Sequence, residues 1–181
     1  MLEDEWKFHL YSATRWKDYV RHFLLSVING SDRASVLSAD GEPKGIVVLR
    51  DMDGPKLDFS KSLDRIDSEV RTDQSFGQYA KDIAALHGVY EMFSSRYKSP
   101  EWAELALLIV SGDCKGMGLG RRMIGEAERI VTAKGMKGLF FYTDTDCNFG
   151  FYDHIGAKRI AYSDIECMGE PLRVFVYALT F

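Results

Sequence analysis

Residues 115–122 read KGMGLGRR, with three glycines at alternate positions between a lysine and two arginines. Gly116, Gly118 and Gly120 remove side chains from a segment that follows the apolar run LALLIV and precedes an amphipathic stretch beginning at Leu119. A loop between a buried strand and a helix start presents bare backbone N–H groups, here through Met117 and Leu119 as well, at the positive end of the helix dipole. Such a row attracts phosphate. Lys115, Arg121 and Arg122 add cationic charge beside it. The plainer reading is a tight turn that needs glycine for backbone geometry alone. Two familiar phosphate cradles fail on spacing. A P-loop requires GxxxxGK followed by Ser or Thr, which is absent, and a dinucleotide fingerprint requires GxGxxG, whereas GMGLGR places Arg121 where the third glycine belongs.

The loop must be held by its neighbours. LALLIV and GLFFYT (138–143) are apolar on both faces, as central strands of a parallel or mixed sheet are. Between them, Leu119, Met123, Ala127, Ile130 and Val131 share one helical face, and Gly135 stops the helix. This is a strand, helix, strand unit. Upstream, residues 14–28 place Trp16, Tyr19, Val20, Phe23, Leu24 and Val27 at helical spacing, and two β-rich runs about Asp40–Pro43 read as a hairpin. Residues 55–100 are polar at first and then carry Tyr79, Ile83, Leu86, Tyr90, Phe93 and Tyr97 at spacings of three and four, a helix ending before Pro100. They have too little apolar content to close a core alone, so the expectation is one domain over 1–181 with a helical insertion at about 55–100. The tail from 158 gives two strands about a Gly169-Glu170-Pro171 turn.

The run VSGDCKGMGLGRRM (110–123) resembles the acetyl-CoA loop of the GNAT superfamily of N-acetyltransferases. Its pattern is an aliphatic strand residue, four intervening residues, Arg or Gln, and then alternating Gly, Gly and Gly or Ala. Val110, Gly116, Gly118 and Gly120 match, and Lys115 stands in for the Arg or Gln. CNFGFYDHIGAKRI (147–160) resembles the superfamily's next motif through Phe151, Tyr152 and Gly156. The family's frequent Asn, seven residues before the Tyr, is Thr145 here. Asn148 lies three residues later, so the resemblance leaves open which of the two bonds the pantetheine. It covers roughly residues 35–50 and 103–181, and the first 34 residues offer no counterpart of the family's first strand.

The resemblance implies an α/β (α+β) fold, with a mixed, mostly antiparallel central sheet, a parallel β-α-β unit and flanking helices. It implies acetyl-CoA as co-substrate, with backbone groups of Leu108, Ile109 and Val110 facing the pantetheine and the acetyl carbonyl. In the family the amine attacks the thioester directly. An alkylammonium of pKa about 10.4 must first lose a proton, on the order of 4 to 5 kcal/mol at pH 7, and a thiolate of pKa about 8.5 must leave. Tyr152 is the candidate acid for the thiolate; the alternative is a phenol that only packs. Glu104 is the candidate base. It lies an even number of residues before Leu108 and Val110 and on a regular strand shares their face, and histone-type members resemble this with a Glu at the matching position. Its plainer alternative is a solvated carboxylate. Cys147 has no base beside it in sequence and His154 reads as a surface residue. Phe76, Tyr79, Tyr90, Phe93 and Tyr97 either line an acceptor pocket or pack their helix onto the sheet.

Composition narrows the field. The 181 residues carry 23 Lys+Arg against 27 Asp+Glu, a net charge of −4, which gathers polyanions poorly and argues against nucleic acid. No apolar run reaches the ~20 residues of a membrane span, and the start MLEDEWKFHL is acidic where a signal peptide is basic, so a cytoplasmic protein without membrane attachment is expected. Cys114, Cys147 and Cys167 form no CxxC pair, and four scattered histidines give a metal little to bind. The expected partner is a small-molecule or peptide amine, and the resemblance also allows a homodimer. Two rivals remain open at this stage, a non-catalytic acyl-CoA-binding or regulatory module and a nucleotide-binding protein.

Overall fold

The structure, a computed structural model, describes residues 7–181. After a single 3-10 turn at Phe8–Leu10, helix α1 (Trp16–Ile28) leads into a hairpin of β1 (Arg33–Ala39) and β2 (Glu42–Arg50). Helices α2 (Ser60–Val70) and α3 (Phe76–Tyr97) follow, then β3 (Trp102–Val110), α4 (Leu119–Ala133), β4 (Gly138–Asp144), the short α5 (Gly150–His154), β5 (Lys158–Cys167) and β6 (Glu170–Thr180). The six strands form one sheet in the order β1-β2-β3-β4-β6-β5, antiparallel throughout except for the parallel pair β3/β4.

Each face of the sheet is covered for a reason legible in the side chains. The apolar stripe of α4 (Met123, Ile124, Ala127, Ile130, Val131) packs on Val47, Leu49, Leu105, Leu139 and Phe141. The helix ends in a Schellman cap: Gly135 takes a φ of 73°, and the amides of Gly135 and Met136 donate to the carbonyls of Thr132 and Val131 at 2.9 and 3.2 Å. On the opposite face Phe23, Leu24 and Val27 of α1 cover Val48, Leu107 and Ile109, while Val89 and Phe93 of α3 cover Phe140, Val174 and Val176. Phe76 and Tyr79 are packing residues, joined with Tyr19, Ile66 and Val70 in a cluster between the helices, and Phe93 and Tyr97 also belong to core clusters.

As the sequence suggested, no strand precedes α1 among the described residues. Three details differ from the sequence expectations. The polar start of the 55–100 segment contains a helix, α2, whose three apolar residues Leu63, Ile66 and Val70 suffice because Ile66 and Val70 are fully buried. The tail turn is Met168-Gly169, both with positive φ, and Glu170 and Pro171 are already paired to Cys167 and Glu166. The third concerns β3. Val48 pairs with Leu107 but Leu49 with Leu105, which leaves Ala106 as a bulge and reverses the facing of everything beyond it.

Candidate active site

The segment leaving β3 is tied down before the glycines begin. Ser111 N–H donates to the Lys44 carbonyl at 2.8 Å, and Lys44 Nζ reaches Asp113 Oδ2 at 2.9 Å. Hydrogen bonds from Ser111 and Lys44 hold the Asp113 carboxyl down at about 2, so it stays ionised as an anchor. Gly116 and Gly118 then adopt φ of 80° and 75°, left-handed values that a side chain resists, and a Cβ at either would meet nothing within 4 Å. Gly118 is the N-cap of α4 and supplies no side-chain cap. The first-turn amides of Leu119, Gly120 and Arg121 therefore have no intrahelical acceptor. They emerge beside the exposed residues Lys115, Gly116 and Met117, the last with 68% of its surface accessible.

Gly120 and Arg122 differ from the other loop residues. Gly120 is helical, and a Cβ there would stand 3.1 and 3.2 Å from the Phe151 ring, so its missing side chain lets α5 approach α4. The Arg122 amide is already spent on the Gly118 carbonyl at 3.0 Å, and its side chain lines a groove of about 390 Å³ with Ser35, Leu37 and Glu126 on the β1 side of the helix. The loop thus brings together residues 115–121 and turns Arg122 away, but the Met117 amide is not bare as the sequence suggested, because it closes a turn onto the Cys114 carbonyl at 3.2 Å.

β3 and β4 are paired only at Trp102–Glu104 with Gly138–Phe140. Beyond that, the β4-facing edge of Leu105–Val110 has no strand partner among the described residues, and the sheet opens between two parallel strands that run on toward the glycine loop and α5. Leu108 and Val110 face the α4 side of this opening, whereas Leu107 and Ile109 face α1. Tyr152 also lies on the α4 side, its ring 4.6 Å from Phe141 and 5.9 Å from Tyr177 between centroids. Tyr177 Oη donates to Asp153 and accepts from Arg159 Nε, which fixes α5 against the sheet.

Thr145 and Asn148 are separated by their partners. The Thr145 hydroxyl accepts the Arg173 amide at 3.3 Å and its own amide donates to the Arg173 carbonyl, which continues the β6 ladder. Asn148 is exposed just before α5, with its carbonyl accepting the Phe151 amide. Burial and the adjacent Asp144 push the Cys147 thiol up to about 12, so it carries almost no thiolate. His154 is exposed.

Glu104 stands on the other face. The bulge at Ala106 separates it from Leu108 and Val110, so the shared-face argument made for a regular strand does not hold; Glu104 is instead cross-strand from Arg50 and looks toward α3. Arg50 Nη1 lies 4.0 Å from Glu104 Oε1, while its other nitrogens bond the carbonyls of Ser26 and Val27 and the hydroxyl of Ser31. Burial raises the Glu104 carboxyl above the usual carboxylate range, against the pull of Arg50. Tyr142 from β4 stacks on Tyr90 of α3 at 4.2 Å, bonds the Tyr90 carbonyl and Ser94 Oγ, and is pushed up to about 12 by burial. Arg50, Asp51, Lys98 and Tyr142 were not singled out by sequence. Only Tyr142 had a usable signal, the period-two spacing of Phe140, Tyr142 and Asp144.

A glycine-rich turn thus precedes α4, and an opening lies between the two parallel strands. The chain belongs to the acetyltransferase (GNAT) family, whose model matches residues 1–156. No curated protein sequence matches. Among solved structures it is similar to the ribosomal-protein-S18-alanine N-acetyltransferase from Escherichia coli (10% identity, TM-score 0.52, 87% of this chain and 74% of that one). It is also similar to an acetyltransferase from Bacillus cereus (11%, 0.51, 93% and 91%). A third is a Bacillus anthracis protein solved in complex with acetyl coenzyme A (13%, 0.51, 83% and 63%), of whose length this chain spans less than two thirds. At such identities the likeness is one of fold, a mixed sheet with one parallel pair and flanking helices.

Proposed function

We propose that the protein is an acetyl-CoA-dependent N-acetyltransferase, a single domain with residues 55–100 as a helical insertion, that acetylates a primary amine of a small molecule or peptide. The observation that carries this reading is the uncapped, exposed first turn of α4 behind two left-handed glycines, placed at the end of the opening between β3 and β4. The amides of Gly116 and of residues 118–121 with Lys115 and Arg121 suit a pyrophosphate, and the unpaired edge of Leu108–Val110 suits the amides of a pantetheine arm, with Asn148 better placed than Thr145 to add a bond.

Acetyl-CoA would supply an activated acetyl thioester. Glu104, raised by burial, takes the proton that the acceptor ammonium must lose; the amine nitrogen forms the new C–N bond, the C–S bond breaks, Tyr152 protonates the departing thiolate, and the second proton shed by the new amide nitrogen restores the phenol through solvent. Acid and base then work from opposite faces of the sheet, meeting through the opening. A panel of amines followed by release of free thiol tests this. Turnover of at least one amine is expected, with Tyr152→Phe lowering kcat by roughly 10²-fold. Binding of acetyl-CoA with no amine turned over would favour a non-catalytic acyl-CoA-binding module, and turnover unaltered by Tyr152→Phe would remove Tyr152 from the mechanism.

A further inference from the structure

The α3 side of the opening carries a second carboxyl that the proposed chemistry does not use. Phe140, Tyr142 and Asp144 follow one another along this face of β4, cross-strand from Ala178, Val176 and Val174 of β6 in turn, and Phe140, Val174 and Val176 form the core beneath α3. Glu104, in parallel register with Phe140, shares the face where the opening begins. Asp144, the last residue of β4, stands on it further along. The four residues from Phe140 to Asp144, at about 3.3 Å each, set the two carboxyl positions roughly 13 Å apart along the strand. Asp144 is held by amides rather than by a cation: its Oδ1 accepts from the Asp146 and Cys147 N–H groups at 2.9 and 3.1 Å. Between the two carboxyls the lining is aromatic, with Tyr90 of α3 stacked on Tyr142 at 4.2 Å.

The cations near these carboxyls are already engaged. Arg50 donates to the Ser31 hydroxyl and to the carbonyls of Ser26 and Val27. Lys98 Nζ lies 2.6 Å from Asp51 Oδ2, and Lys7 Nζ lies 2.9 Å from Asp146 Oδ2. An acceptor bearing a carboxylate or phosphate finds no uncommitted cation among these three, whereas a carboxyl at each end of an aromatic wall suits a chain with a positive charge at each end. Resting on the reading of the protein as an N-acetyltransferase with Glu104 as base, we propose that its acceptor is a linear polyamine and that Asp144 is the specificity-determining residue, holding the distal ammonium. The amine at Glu104 gives up its proton and takes the acetyl group; the distal nitrogen stays protonated against Asp144 and forms no covalent bond. The spacing selects length, since an extended triamine such as spermidine is of the order of the distance between the carboxyls and ethylenediamine falls well short of it.

The test is kcat/KM for three amines, measured on the full-length protein at saturating acetyl-CoA. Spermidine is expected to exceed both n-octylamine, which has the length without the distal charge, and ethylenediamine, which has the charge without the length. The expected margin is roughly ten- to a hundredfold, the worth of one charge-assisted hydrogen bond. Asp144→Asn keeps the oxygen that accepts the Asp146 and Cys147 amides and loses the charge, so it should cut the spermidine-to-octylamine ratio by the same factor. A ratio near one in the parent protein overturns the proposal without any variant; so does a ratio that Asp144→Asn leaves unchanged. Calorimetric titration of spermidine into protein saturated with coenzyme A gives a readout that needs no turnover. Binding that Asp144→Asn weakens tenfold or more, with no amine acetylated, supports the Asp144 assignment and places the failure in the N-acetyltransferase reading. Acetylation of amines with no preference for spermidine keeps that reading and overturns the proposal, as does spermidine that neither binds nor turns over.

Discussion

Replacing single glycines separates the two tasks of the KGMGLG loop. At Gly118 the φ of 75° is left-handed and a Cβ meets nothing within 4 Å, so Gly118→Ala incurs only a backbone penalty, about 1–2 kcal/mol. In a chain of this length that lowers Tm by roughly 2–8 °C. If the loop relaxes to avoid the penalty, its amides turn, and loss of one charge-assisted bond to a phosphate, ~1.5–3 kcal/mol, weakens acetyl-CoA by roughly ten- to a hundredfold. Gly120→Ala is the control. Its backbone is already helical, where alanine gains up to about 1 kcal/mol, offset by moving the Phe151 ring that would stand 3.1 Å away. Its Tm should therefore shift less than that of Gly118→Ala, and its acetyl-CoA affinity should fall less. Scanning calorimetry and calorimetric titration with acetyl-CoA read both quantities. The left-handed penalty must appear either as a lower Tm, with the loop held in place, or as weaker acetyl-CoA binding, with the loop relaxed, so a Gly118→Ala variant with both Tm and affinity unchanged would refute the reasoning.

Asp82, only 2% exposed, accepts from Tyr11 Oη, Gln78 Nε2 and the Met168 amide at 2.9, 2.8 and 3.1 Å, and so pins the N-terminal turn and the β5/β6 turn to α3. Asp82→Ala strands buried donors and should cost about 2–4 kcal/mol, a drop in Tm of roughly 5–15 °C, with Asp82→Asn recovering part; a loss below about 1 kcal/mol would contradict the pinning role. Burial lowers the pKa of both His22, whose Nδ1 lies 2.8 Å from Tyr79 Oη, and His87. The folded chain then binds fewer protons than the unfolded one below the ordinary value of about 6.5, so stability is full above that pH and falls as pH drops through it toward the folded values. Urea midpoints at pH 7.5 and 5 should differ less in a His22→Gln/His87→Gln double variant than in the parent, and an equal difference would show that these imidazoles do not set the slope.

The sequence carried the elements whose pattern is local. The stripe of α4, its glycine stop and the two apolar strands follow from periodicity, and all lie where the spacing put them. α2 escaped because three apolar residues in eleven look solvated until Tyr19 and Tyr79 are known to cover them. The facing of Glu104 escaped for a different reason. A bulge at Ala106 shifts the register by one residue, and since strand facing has a period of two, one residue moves a side chain to the other face. Nothing in WAELALLIV marks the alanine as the extra residue. Asp51 and Lys98 were invisible for the same kind of reason, since the contact joins residues 47 positions apart whose meeting depends on where α3 ends.

That bulge also explains how one strand can serve both sides of the sheet. Before Ala106, Glu104 points to α3; after it, Leu108 and Val110 point to α4, where Tyr152 and the glycine loop lie. The outer edges of the parallel pair are fully engaged, β3 with β2 and β4 with β6, so separating the strands exposes backbone groups only along the inner edges. Those inner N–H and C=O groups need partners in any closed site. Under the proposed reading an extended chain bearing its own amides, laid between β3 and β4 as an added strand would be, meets that need while leading from the phosphate-binding amides of α4 to the apex. At the apex, Glu104 and Phe140 are the last cross-strand pair, which places the base candidate where such a chain would have to end.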